Sequence, residues 1–210
     1  NGLSFAKKLT DLVRAEHPDL LVHTGDFLDR GFVDGEGIAA LWRDIPAPLG
    51  KYAVTGNHEF YNDIAFTSAE LEKAGFTLLR NRVEERGGVF VIAGVDDPTA
   101  ARFGEPEPNA AALLAAIPRE KFVLLLRHQP ERDETTAGLF DLQLSGHTHN
   151  GQLWPFSLFV SLVYPLRGGV YRQPDGSTIV VSSGAGTWGP PIRVLAPPEI
   201  VVIEVIRRIR

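Results

Sequence analysis

Leu142-Gln143-Leu144-Ser145-Gly146-His147-Thr148-His149 is the stretch whose reading decides the fold. From Phe140 to Leu144, apolar and polar residues alternate as they do on a half-buried strand. The strand then meets a glycine, and two histidines follow two positions apart. Alternating histidines directly after a strand rarely serve packing. The same arrangement occurs three more times: Leu20 to Thr24 runs into Gly25-Asp26, Tyr52 to Thr55 into Gly56-Asn57, and Phe122 to Leu126 into His128. In an α/β sheet, ligands gather at the carboxyl ends of the strands. Four loops from distant parts of the chain can therefore converge on one point. Their donors are carboxylate, amide oxygen and imidazole, with no thiolate, which suits manganese, iron, zinc, cobalt or nickel better than calcium.

Each block alone has an ordinary explanation. Gly25-Asp26-Phe27-Leu28-Asp29 is commonly a turn, and Asp29 is expected to bond the loop backbone rather than a metal. Gly56-Asn57-His58-Glu59 could be a capped turn, with Glu59 paired to a surface base. His128, before Gln129-Pro130, could be a buried hydrogen-bonded histidine. The signal is the set, in this order, each member after a strand. His17 and His23 lack that context and read as structural or surface residues.

Around these loops the periodicity predicts helices over residues 4–17, with Ser4 as cap, and over 35–43, 62–74 and 109–117. Val89 to Gly94 reads as a strand ending in Asp96-Asp97, and 98–108 as a surface loop. Val170 to Arg172 and Thr178 to Ser182 flank Pro174-Asp175-Gly176 as a hairpin, and Ile200 to Ile206 is expected to be a last strand. Strands alternating with helices, plus extra strands, call for a mixed sheet or a pair of sheets with helices outside. No internal repeat is visible, and the 210 residues read as one domain.

Lys plus Arg is 21 and Asp plus Glu is 26, a net charge of −5, so no nucleic-acid partner is expected. Cysteine is absent, which excludes disulfides, thiolate zinc sites and Cys nucleophiles. Methionine is absent too, and Asn1 in place of Met implies native sequence upstream. The longest apolar run, Trp154 to Leu166, is short of the roughly 20 residues of a membrane span. Its plainest reading is a buried helix and turn covering the sheet. The other is an apolar lip for a lipid-linked phosphate or a bilayer. Location stays open between membrane or cell envelope and cytoplasm, and so does oligomeric state.

With these blocks the chain resembles the calcineurin-like metallophosphoesterases. Leu144 to Gln152 and Pro197-Pro198-Glu199-Ile200 are further similar to the bacterial branch related to the YkuE and YaeI phosphodiesterases. The resemblance implies an α/β/β/α sandwich of two mixed sheets flanked by helices, with two divalent metal ions at the strand ends. It places Asp26, Asn57, His128 and His147 at one metal. It places His149 at the other, which shares Asp26. The family's opening Asp-x-His block is missing from the 210 residues and is expected upstream of Asn1.

The resemblance also implies hydrolysis of a phosphodiester or phosphomonoester by a metal-bridging hydroxide, with His58 as general acid to the leaving group. Asp26 suits a bridge because a carboxylate offers two oxygens. Arg127 and Arg193 are candidates for phosphate oxygens, although both are more often surface residues. The expected partner is a small-molecule or lipid phosphoester, with peripheral membrane contact. The alternative is a non-catalytic metal- or partner-binding module on the same fold.

Overall fold

The structure, a computed structural model, describes residues 2–28, 35–88 and 90–206. Asp29 lies outside the described residues. In chain order the elements are α1 (Leu3–Ala15), β1 (Leu21–His23), α2 (Gly35–Arg43), β2 (Lys51–Ala53), α3 (Asn57–Asn62), α4 (Ile64–Lys73), β3 (Thr77–Leu78), β4 (Arg82–Arg86) and β5 (Phe90–Gly94), then α5 (Ala110–Ala115), β6 (Phe122–Leu126), β7 (Leu142–Ser145), α6 (Phe156–Val163), β8 (Gly169–Arg172) and β9 (Thr178–Val181).

Two sheets form. One is three-stranded and parallel, ordered β1-β2-β3. The other has six strands, ordered β4-β5-β6-β7-β9-β8, with a parallel centre and antiparallel outer pairs. The central strands are apolar on both faces, and side chains alternate between faces at period two. Ile92, Leu124 and Leu126 pack toward Tyr52, Val54 and Leu79 of the other sheet. Val91, Ala93, Val123 and Leu125 face the opposite way, against Leu114 and Ile117 at α5. On the far side of the small sheet, Ala6 and Val13 of α1, Ile38 and Trp42 of α2 and Leu71 of α4 close a third cluster. Helix, sheet, sheet and helix are thus stacked as four layers, as the sequence led us to expect.

Several local expectations change. The cap of α1 is the Gly2 backbone, not Ser4. Residues 98–103 wind into a 3-10 helix capped by Asp97, whose carboxylate accepts from the Thr99 N–H at 2.8 Å. Ile200 to Ile206 is not a strand: it runs exposed and irregular, and among the described residues its backbone finds no ladder partner. A β-branched apolar run alone does not make a strand; its N–H and C=O groups need a neighbouring one. The uncharged run is not a buried cover either. In α6, Leu162 is 81% exposed and Val163 70%.

Among the described residues, no helix is long and apolar enough to cross a membrane.

Candidate metal centre

The parallel strands of each sheet end on one side, and the functional loops leave from there. After β1 the backbone turns through two left-handed residues, Gly25 at φ 96° and Asp26 at φ 58°. A Cβ on Gly25 would stand 2.6 Å from the Gly56 nitrogen and 2.6 Å from His128 Nδ1. A Cβ on Gly56 would stand 2.2 Å from Asp26 Oδ1. The two glycines are what lets the β1 and β2 loops touch. Asp26 and His147 (φ 68°) hold positive φ without being glycine, a strained conformation that clusters at functional sites.

Glu59, at the start of α3, fastens the two loops together. Its carboxylate is wholly buried and accepts from the backbone N–H of Asp26 at 2.8 Å, Phe27 at 2.7 Å and Gly56 at 2.6 Å. The surface pairing expected for it is therefore replaced by an internal role. Burial, and then the nearby charge of Asp26, push its carboxyl above the ordinary range, against the pull of the three N–H donors. The same loop is held once more where the His58 N–H donates to Asp26 Oδ1 at 3.0 Å.

His128 is the centre of the cluster and is buried. Its Nδ1 lies 2.6 Å from the Thr24 carbonyl, which can only accept. One hydrogen therefore sits on Nδ1, and Nε2 is the atom left to take a proton or a cation. It faces Asp26 Oδ2 at 3.1 Å and Asn57 Oδ1 at 3.2 Å, neither of which brings a hydrogen. His147 Nδ1 stands 3.1 Å away as well. Asp26, His128 and His147 each offer a ligand atom within 4.8 Å of the others. Only a proton or a cation can hold such a group together.

In the protein alone a proton does so. Burial by itself would lower His128, but the Asp26 carboxylate outweighs it and pushes the ring up to about 9. Burial would raise Asp26, yet His128 holds it well below the usual carboxylate range. Burial, and next His128, lower His147 to about 4. A divalent cation entering this cluster would take the proton's place.

The structure thus brings Asp26, Asn57, His128 and His147 together. His149 stands outside that tight group. Its Nδ1 faces Arg193 Nη2 at 3.2 Å, and burial followed by the arginine's charge lowers it to about 4. The His58 side chain is also outside the group, with its ring 5.9 Å from that of Tyr61. Arg127 turns away to Glu131 at 2.6 Å, whereas Arg193 binds the Ser183, Gly186 and Ala196 carbonyls and so folds the 183–196 loop against His149. Two further residues were not singled out as site residues: Tyr164, which had no sequence signal, and Asp97, which shares the strand-end position of the other donors. Tyr164 Oη lies 2.8 Å from His147 Nε2. Asp97, fully buried and held by Gln129 Nε2 at 2.9 Å, adds negative charge beside His128.

Comparisons with known proteins bear on the family and the fold. A sequence profile described as calcineurin-like phosphoesterase matches residues 2–151. A metallophosphoesterase of Aquifex aeolicus is 38% identical over 192 residues, covering 90% of this chain and 74% of its own. The metallophosphoesterase YkuE of Bacillus subtilis is 34% identical, covering 90% and 68%. The chain spans about half the length of several other curated relatives. Among solved structures, a 5'-nucleotidase precursor from Thermus thermophilus shares the fold at a TM-score of 0.52 and 18% identity, over 87% of this chain and 43% of that one. The paired loops, the buried histidine facing two oxygens and the profile over most of the length have one common explanation: the chain belongs to the calcineurin-like phosphoesterase family, hydrolases of phosphoric esters that work through a dinuclear divalent metal site.

Proposed function

We propose that the protein is a metal-dependent phosphoesterase in which Asp26, Asn57, His128 and His147 hold one divalent cation, His149 serves a second position shared with Asp26, and His58 is the general acid. The observation that carries this reading is His128 Nε2, which points at two oxygens without hydrogens while Nδ1 is committed to the Thr24 carbonyl. Bound divalent cations supply positive charge for the phosphoryl oxygens and lower the pKa of water.

The chain's own residues do the rest. Asp26 splits its two oxygens, with Oδ1 tied to the His58 N–H and Oδ2 turned into the cluster. Asn57 adds a neutral oxygen, which limits the negative charge around the cations. His58 follows Asn57 by one residue; its backbone N–H braces Asp26, and its imidazole would protonate a departing alkoxide. The test is hydrolysis of a generic aryl phosphodiester and the matching monoester by the full native chain loaded with Mn²⁺, Fe²⁺, Zn²⁺, Co²⁺ or Ni²⁺. Turnover with at least one metal is expected. Complete inactivity with metal bound would favour a binding module on the same fold.

A second reading concerns substrate, and α6 supports it. Trp154 (52% exposed), Leu162 and Val163 form an apolar surface beside Trp188 and Leu195. The Gln152 side chain binds the Trp188 carbonyl and N–H, each at 2.6 Å, and the Trp154 N–H reaches the Val194 carbonyl at 3.3 Å, so the two segments lie side by side. In residues 151–172 and 183–198 the charges are Arg167, Arg172 and Arg193, with no acid, in a chain of net −5. Projecting apolar residues with basic companions fit an anionic membrane surface and a lipid-linked phosphate. On this reading Leu162→Asp should weaken co-sedimentation with anionic phospholipid vesicles by about tenfold or more. Hydrolysis of a soluble aryl ester should not change. Vesicle binding equal to wild type would remove the membrane role.

A further inference from the structure

Tyr164 follows the last turn of α6, in the uncharged run and outside every motif of the metal cluster. Its hydroxyl nevertheless lies 2.8 Å from His147 Nε2, and its ring meets the imidazole edge-on with centroids 5.1 Å apart. We infer that Tyr164 is a positioning residue that sets the tautomer and orientation of His147, and through them the affinity of the site for its cation. The inference rests on the reading of His147 as a ligand.

The two imidazoles are held in different ways. His128 is backed by the Thr24 carbonyl, which accepts only and so fixes the hydrogen on Nδ1 whatever lies at Nε2. His147 is backed by a hydroxyl, which can both donate and accept. While no cation is present, the proton on His128 Nε2 lies 3.1 Å from His147 Nδ1, so Nδ1 must be an acceptor and the His147 hydrogen sits on Nε2, where the Tyr164 oxygen accepts it. When a cation takes Nδ1, the single hydrogen of the neutral ring is again on Nε2. One hydroxyl oxygen thus serves both states in the same role, so the ring need not turn or lose its outer partner when metal enters.

Outer hydrogen bonds of this kind on a ligating histidine are typically worth about 10–100-fold in metal affinity. The position also has a structural consequence. The residue that ends the exposed apolar helix is the one that braces a proposed ligand, so a displacement of α6 would reach His147 through a single side chain.

Tyr164→Phe keeps the ring and removes only the oxygen. Mn²⁺ titration of the full native chain, followed by the EPR signal of free Mn²⁺, should show affinity about 10–100-fold weaker in the variant. Thermal unfolding of the metal-free protein should stay close to wild type, which a purely structural role would not allow. In the Zn²⁺-loaded protein, histidine-selective ¹⁵N NMR should place the His147 hydrogen on Nε2 in wild type, with faster solvent exchange in Tyr164→Phe. Equal Mn²⁺ affinity in wild type and variant would overturn the inference and leave the ligand reading standing. A wild-type chain that takes up no Mn²⁺ or Zn²⁺ would overturn both.

Discussion

His58→Ala is expected to lower turnover by about 10²–10⁴-fold while metal content stays at the wild-type level. The geometry separates these two effects. His58 bonds the cluster through its backbone N–H, which meets Asp26 Oδ1 at 3.0 Å and survives in alanine. Its imidazole is not among the grouped donor atoms. Removing the ring should therefore remove a proton donor and leave the ligands in place. The loss should be greatest for esters with poor leaving groups, which need protonation most, and small for a nitrophenolate. Asp26→Ala should behave in the opposite way. It removes the oxygen facing His128 Nε2, and metal measured by atomic absorption should fall to background. An undiminished rate in His58→Ala on an alkyl ester would take the general-acid role from this residue.

Glu59→Ala should cost about 3–6 kcal/mol, a large part of the stability of a domain this size. The side chain is fully buried, and its loss leaves the N–H groups of Asp26, Phe27 and Gly56 without their acceptor. A fully buried orphaned donor costs roughly 1–3 kcal/mol, and the bonds to Asp26 and Phe27 are only part-buried, which keeps the total below three full penalties. Two of these donors lie in the β1 loop and one in the β2 loop, so the damage falls on the joint between the loops that carry Asp26 and Asn57. Metal affinity should fall with stability. Glu59→Gln keeps the volume but sets an amide NH₂ against N–H donors, and should fall between alanine and wild type. Urea unfolding with a parallel Mn²⁺ titration measures both. A Glu59→Ala midpoint within experimental error of wild type would show that the carboxylate does not join the loops.

The clustering of Asp26, Asn57, His128 and His147 was legible in the sequence because each follows a strand, and parallel strands deliver their carboxyl ends to one side. What the sequence could not show is which side chains stand behind that cluster. Glu59 reads equally well as a surface partner, since nothing along the chain reveals that three N–H groups converge on it. Tyr164 is one residue in a charge-free run, and only the folded contact with His147 distinguishes it. The same run misled on burial, because an uncharged helix looks like core until its neighbours are known. α3 escaped notice because six residues carry little periodicity; its start is fixed by Glu59 reaching back to the Gly56 N–H. β4 escaped because Arg82, Glu84, Glu85 and Arg86 give it the charged character of an edge strand. Ile200 to Ile206 erred the other way, having the β-branched apolar composition of a strand without, among the described residues, a ladder to join.

The central claim is that the side chains at 26, 57, 128 and 147 enclose a divalent cation. Anomalous diffraction from Zn²⁺-loaded crystals of the native chain, recorded on both sides of the zinc edge, tests it directly. The expected map has a peak bonded to an Asp26 oxygen, Asn57 Oδ1, His128 Nε2 and His147 Nδ1, at about 2.0–2.2 Å from the nitrogen and carboxylate ligands. A map with no zinc between these four residues, while the protein binds the metal elsewhere or not at all, would contradict the account.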